Sequence, residues 1–145
     1  NAVRFAGGIT RTLKVGAPKL CTSGPYSKTR NPLYLGNIII YLGVVLLAGG
    51  EYFVPLFFIT LLFFTLQYAM IISLEEKKLM ELFGNEYQEY IDNVPRLFPR
   101  ISKWKKQDNI IPTSIIKTLI IEKRTLQNIV LINFIIITKY LFNIQ

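Results

Sequence analysis

From Phe53 to Leu74 the chain carries no charged residue. Wound as a helix, that stretch crosses about 30 Å of hydrocarbon at about 1.5 Å per residue. Hydrophobic residues make up 51% of the sequence and fall in blocks rather than in the alternation of a soluble sheet. Leu33 to Gly50 is also uncharged, contains Asn37 and is closed by Glu51 at the lower end of spanning length. It reads as a full span or as a shorter broken helix. Gly49, Gly50, Glu51 and Tyr52 alone separate the two blocks, which predicts a tight hairpin over 33–74 whose ends return to one side. Pro55 suits a first-turn position or a mild kink.

A third apolar region, Ile110 to Leu141, is interrupted by Glu122, Lys123 and Arg124. Thr125 to Phe142 reads as a span, with Asn128, Asn133 and Lys139 inside it, and Ile110 to Ile121 as an interfacial or bundle-packed helix. One continuous tilted helix is the alternative. The expected fold is an all-α integral membrane domain: a multi-span helical bundle with a tight transmembrane hairpin and a cytosolic amphipathic connector. The 145 residues allow one domain, 1–145. It divides into a cytosolic basic segment (1–31), the hairpin (33–74), a cytosolic connector (75–109) and a C-terminal interfacial and membrane helix (110–145).

The net charge of +8 raises nucleic acid as a partner, and the placement of the charges argues against it. Arg4, Arg11, Lys14, Lys19, Lys28 and Arg30 precede the hairpin, and Lys77, Lys78, Arg96, Arg100, Lys103, Lys105 and Lys106 follow it. Both groups therefore lie on one side, which the positive-inside rule makes cytoplasmic. Contact with anionic lipid headgroups is the simpler use of these cations. Cys21, the single cysteine, reads as an unpaired thiol near an interface. The chain starts at Asn1, without Met and without a hydrophobic leader, as expected of an N-terminally incomplete sequence.

Gly7, Gly8, Gly16, Gly24, Pro18 and Pro25 break the first segment into short pieces. Its end, Gly24-Pro25-Tyr26-Ser27-Lys28-Thr29-Arg30-Asn31-Pro32-Leu33-Tyr34-Leu35-Gly36, sets turn-formers, a cation and two tyrosines against the start of the hairpin. Arg30 is either a topogenic cation or a guanidinium that binds a carboxylate beside helix-end donors, because Pro32 can open the helix. Tyr26 and Tyr34 fit an interfacial aromatic belt. Gly36 and Gly43 share a helix face that admits another helix or a flat ligand.

Glu75-Glu76 stand where the apolar run ends. Two adjacent carboxylates repel each other and oppose the dipole of a helix ending there, a cost that Lys77, Lys78 and Arg30 offset. Leu79, Leu82 and Phe83 repeat at helical spacing, Gly84 is a stop, and Asn85 with Gln88 predicts a capping box for a second short helix. With Tyr87, Tyr90, Ile91 and Val94 on one face, Lys77 to Val94 is expected along the membrane surface or over the mouth of the bundle. Pro95 and Pro99 end it. Phe98, Lys103, Trp104, Lys105 and Lys106 suit an interfacial collar.

These two segments resemble the signature of the membrane methyltransferases that include the isoprenylcysteine carboxyl methyltransferases and the phospholipid N-methyltransferases, here in a bacterial-type form. The pattern is Gly-Pro-Tyr, then Arg30-Asn31-Pro32-Leu33-Tyr34-Leu35-Gly36, a hydrophobic hairpin, Glu75-Glu76, Leu79, Phe83-Gly84, Tyr87, Tyr90 and Val94-Pro95. It covers about Leu20 to Pro99. The resemblance implies methyl transfer from S-adenosylmethionine to a membrane lipid or to a prenylated small-molecule or protein acceptor, as carboxylate O-methylation or amine N-methylation. It also implies a multi-pass protein, of a bacterial inner membrane, with the motif loops in the cytoplasm.

By that resemblance Gly24, Tyr26, Arg30, Asn31, Pro32, Tyr34 and Gly36 line the cofactor pocket, and Glu75 or Glu76 meets the ammonium of its methionine part. Arg30, Glu75 and Glu76 are the residues expected to carry catalysis, with Arg30 holding the cofactor carboxylate or organising the pocket. Many relatives have Arg-His-Pro where this chain has Arg30-Asn31-Pro32. The sequence contains no His, so a histidine mechanism does not transfer. Sterol reductases, which bind a nicotinamide cofactor, look similar around Arg30 to Gly36 and give an alternative reading as an NADPH oxidoreductase. A non-catalytic membrane scaffold is the third.

Overall fold

The computed structural model of the protein describes residues 2–6, 19–105 and 111–142. Gly7, Gly8, Arg11, Lys14, Gly16, Pro18, Lys106 and Ile110, which figure in the sequence reading, lie outside the described residues. Among the described residues all regular structure is helical. A short helix α1 (Ala2–Ala6) is followed by a 3-10 turn (Gly24–Ser27), then α2 (Pro32–Ala48) and α3 (Phe53–Phe83). Next come α4 (Asn85–Asn93), α5 (Ile115–Ile121) and α6 (Lys123–Leu141).

Pro32 stands at the first position of α2, where its missing N–H costs nothing and its fixed φ favours the helix. The 17 residues of α2 rise about 26 Å, short of a full hydrocarbon crossing. α3 has 31 residues and rises about 46 Å. It is the one described helix long and apolar enough to cross a membrane, and only 11% of its apolar window is buried within the chain. The two helices pack together through Ile38, Tyr68 and Ile72, flanked by Tyr34, Leu42, Leu61 and Phe64. Tyr41 stacks on Phe64 with ring centroids 3.9 Å apart, and Tyr34 meets Tyr68 at 4.9 Å.

Two expectations about the connector change. The apolar helix does not end at the carboxylate pair but runs on to Phe83, so Glu75 and Glu76 sit in a helix interior. The dipole argument against them falls away, because that field is confined to the last turn. The capping box also fails to form. Gly84, at φ 48°, breaks the helix in a left-handed conformation, Asn85 is already the first residue of α4, and no side chain caps it.

α4 buries Tyr87 and Tyr90, which join Leu20 and Val94 in a cluster closed by Leu79, Phe83 and Trp104. A second cluster sets Ala6 of α1 against Cys21 and Tyr26. The chain folds back on α1 again at Thr113, whose N–H donates to Arg4 O at 2.8 Å while Arg4 Nε donates to Thr113 O at 3.0 Å. From there α5 and α6 lead toward the far end of the α2–α3 pair, where the Tyr140 hydroxyl donates to Leu47 O at 3.2 Å. The two helices divide at Glu122, so the C-terminal region is not one continuous helix.

Candidate functional site

Ser27 to Asn31 follows the 3-10 turn, with Lys28 N and Thr29 N both donating to Pro25 O at 3.0 and 3.2 Å, and is laced to a second loop, Pro95 to Trp104. Arg30 N donates to Pro95 O at 2.9 Å, Arg100 N to Lys28 O at 2.9 Å and Trp104 N to Ser27 O at 3.0 Å. Side chains add to this lacing. Thr29 Oγ1 lies 3.0 Å from Leu97 O, and Asn31 Nδ2 donates to Arg96 O at 2.9 Å. Buried backbone groups need partners, and each loop supplies them to the other.

Arg30 fastens this layer to two helices. Its Nε and Nη2 donate to Glu76 Oε1 at 3.2 and 2.9 Å, and its Nη1 donates to Ile91 O at 3.0 Å and Val94 O at 2.9 Å. The Arg30 side chain is 10% exposed. Glu76 turns its other oxygen to Arg96, whose Nε lies 3.1 Å away, close enough for an ion pair but without the alignment of a hydrogen bond. Arg96 is secured instead through Nη2, 2.6 Å from Ser73 Oγ. Both oxygens of Glu76 are thus committed to arginines.

Glu75 is placed differently. Its Oε1 accepts from the Tyr34 hydroxyl at 2.8 Å, and among the described residues nothing donates to Oε2. Adjacent helix positions point about 100° apart, so the two carboxylates leave α3 in different directions. Tyr26 lies on the Glu75 side, near enough for Glu75 and Tyr34 to act on its phenol electrostatically. Burial first, then the neighbouring Cys21 and after it Glu75, push the Tyr26 phenol far above its ordinary range and keep it protonated. The Tyr26 backbone is fixed by Tyr90, whose hydroxyl donates to Tyr26 O at 2.6 Å.

Gly24 opens the 3-10 turn at φ 58°, and a Cβ there would stand 2.6 Å from the Phe5 ring. Only a residue without a side chain fits both the backbone and the packing. Pro32 and Asn31 mark the start of α2; Asn31 Nδ2 donates to Arg96 O, and its side chain makes no cap hydrogen bond. Gly36 and Gly43 have open space where a side chain would be, so among the described residues nothing meets a Cβ on the face they share. The apolar concavity along α5 and α6, lined by Leu119, Leu126 and Val130 among others, is built by none of these residues. Arg96 was read from the sequence only as one of many cations. Its signal is weak because its partners, Ser73 and Glu76, are distant in sequence.

The phospholipid methyltransferase family model matches residues 6–86, more than half of the chain. The chain belongs to the phospholipid methyltransferase family. Among curated relatives, it is 33% identical to the nickel-cobalt-cadmium resistance protein NccN of Alcaligenes xylosoxydans xylosoxydans, over 64% of this chain and 42% of that protein. It is 35% identical to the protein-S-isoprenylcysteine O-methyltransferase of Schizosaccharomyces pombe, over 57% of this chain and 34% of that enzyme. The methanethiol S-methyltransferase 1 of Bradyrhizobium diazoefficiens is 33% identical, over 57% and 27%. The chain therefore spans less than half the length of these relatives. No solved structure matches. α3 fits association with a membrane.

Proposed function

We propose that this chain transfers methyl groups from S-adenosylmethionine to a membrane-embedded acceptor, a lipid or a prenylcysteine-like molecule, at the junction of the Gly24–Gly36 segment with α3. The observation that carries the reading is the division of labour between the two carboxylates. Glu76 is consumed by Arg30 and Arg96, whereas Glu75 is oriented by Tyr34 and keeps one oxygen for a ligand. A carboxylate with an open oxygen beside buried aromatic rings fits the ammonium of the methionine part of the cofactor.

In this reading Glu75 holds the cofactor, Tyr34 fixes the Glu75 rotamer, and Gly24 and Tyr26 shape the adjoining wall. Arg30 is a positioning residue: its donors go to Glu76 and to the Ile91 and Val94 carbonyls, so it organises the pocket rather than gripping the cofactor carboxylate. Asn31 ties the start of α2 to the Pro95–Trp104 loop.

When bound, S-adenosylmethionine supplies a methyl group on a sulfonium leaving group. The protein's task is then to hold donor and acceptor close and in line and to exclude water. That task suits a chain without His. A carboxylate acceptor is ionised near pH 7 and needs no base, whereas an amine must first lose its proton, through Glu, Tyr or water. One relative carries a name that denotes O-methylation, which supports an acceptor of this undemanding kind. α3 and α6 are read as crossing the membrane and α2 as entering it beside α3, with the motif loops on the cytoplasmic side of a bacterial inner membrane.

A second reading has one observation in its favour: the Delta(14)-sterol reductase TM7SF2 of Mus musculus is 31% identical over 57% of this chain. Calorimetric titration of the intact chain in lipid nanodiscs separates the two. Binding of S-adenosylhomocysteine without binding of NADPH supports methyl transfer; the reverse result establishes the reductase reading. Binding of neither leaves the scaffold reading.

A further inference from the structure

α3 carries a second polar constellation on a face turned away from Glu75. Ser73 and Glu75 are two residues apart and point about 160° from each other, whereas Ser73 and Lys77 are one turn apart and lie side by side. Arg96 reaches this face from the connector. Ser73 Oγ donates to Ala69 O at 2.8 Å and accepts Arg96 Nη2 at 2.6 Å, so the hydroxyl serves as a bracket for the guanidinium. Glu76 Oε2, 3.1 Å from Nε, steadies the other edge.

Among the described residues no acceptor meets Arg96 Nη1, and none meets Lys77. The Arg96 side chain is 41% exposed. Two cations with unspent donors therefore stand together where the charge-free stretch of α3 ends at Leu74. Directly below them on the same face are Met70 and Leu66, exposed by 69% and 57%. Positive charge at the edge of a bilayer, above an apolar strip, has the polarity of a phospholipid: phosphate above, acyl chain below.

We propose that Arg96 and Lys77 bind the phosphate of a bilayer phospholipid whose acyl chain lies along Met70 and Leu66. Arg96 fits the role because its guanidinium is oriented in advance by Ser73 and Glu76, leaving Nη1 for a phosphate oxygen. The site also communicates with the motif loop: the Arg96 carbonyl accepts from Asn31 Nδ2 at 2.9 Å and lies 3.3 Å from Thr29 Oγ1. A lipid held there fixes the height of that loop relative to the membrane. The inference does not depend on the methyl-transfer reading, since it places the lipid on a different face of α3 from Glu75.

The test is native mass spectrometry of the intact chain released from detergent, titrated with phosphatidylglycerol in the absence of cofactor. Lys77→Glu, a change at an exposed side chain, should lower lipid retention at least about fivefold, the worth of about 1 kcal/mol for one basic residue at the headgroup layer. Lys103→Glu, the same charge change elsewhere, should leave retention within about twofold of the parent, because it removes only a diffuse attraction. Arg96→Gln should lower retention as Lys77→Glu does. Equal retention by the Lys77→Glu and Lys103→Glu variants overturns the site. Dioleoylglycerol retained as well as phosphatidylglycerol overturns the role of the phosphate. Glycerol 3-phosphate competing at equal concentration assigns the site to a soluble phosphate ester and overturns the lipid.

Discussion

Arg30 and Glu76 are joined by two hydrogen bonds to a single carboxylate oxygen, at 2.9 and 3.2 Å, across 46 positions of sequence. That contact ties the loop before α2 to the interior of α3. The remaining donors of Arg30 reach the carbonyls at the end of α4, so one side chain registers three segments against one another. A planar fork with five fixed donors can do this; an ammonium cannot.

Replacing Arg30 should therefore act first on stability. Arg30→Ala leaves Glu76 with a half-paired charge and two carbonyls without donors, and should cost about 3 kcal/mol. Arg30→Lys should recover less than half of that loss. Thermal unfolding in detergent, followed by near-ultraviolet circular dichroism, measures both; a lysine variant as stable as the parent contradicts the account.

Gly24→Ala should destabilise the chain by about 1–3 kcal/mol, through a left-handed backbone and a collision with the Phe5 ring. Adding Phe5→Ala should relieve the collision and leave the backbone cost. A double-mutant cycle on unfolding midpoints reads the coupling, and strict additivity of the two changes would show that the ring is not the obstacle.

The alkaline limb of stability should be steep. Burial raises the Tyr26 and Tyr90 phenols far above the ordinary value of 10.0, with nearby groups adding to the effect. The folded state then holds protons that the unfolded chain releases, so the stabilisation is complete below about pH 10 and is lost as pH rises above it. Tyr90→Phe should lower stability at neutral pH by about 1 kcal/mol, through loss of its bond to Tyr26 O, and should flatten the decline above pH 10. Unfolding midpoints measured from pH 7 to 11 check both effects.

Much of the frame was legible in the sequence for a physical reason: length and absence of charge define α3, and Pro32 announces the start of α2. The motif residues Arg30, Tyr34, Glu75 and Glu76 do come together. What stayed hidden depends on contacts without a side-chain signature. The lacing of Ser27–Asn31 to Pro95–Trp104 runs largely through backbone carbonyls, which every residue carries. The different fates of Glu75 and Glu76 follow from helix phase, and phase was obscured by reading the two charges as a helix exit. Asn85 and Gln88 had the composition of a capping box, but Gly84 already supplied the break.

The central claim is that Glu75, and not Glu76, meets the cofactor. Titration of S-adenosylhomocysteine into the intact chain carrying Glu75→Gln or Glu76→Gln, in lipid nanodiscs, tests it most directly. Glutamine at 75 can still accept from Tyr34, so the fold and its unfolding midpoint should hold while affinity falls about tenfold or more, the loss of one charge-assisted bond. Glutamine at 76 should instead lower the unfolding midpoint. Parental affinity in the Glu75→Gln chain would contradict the account.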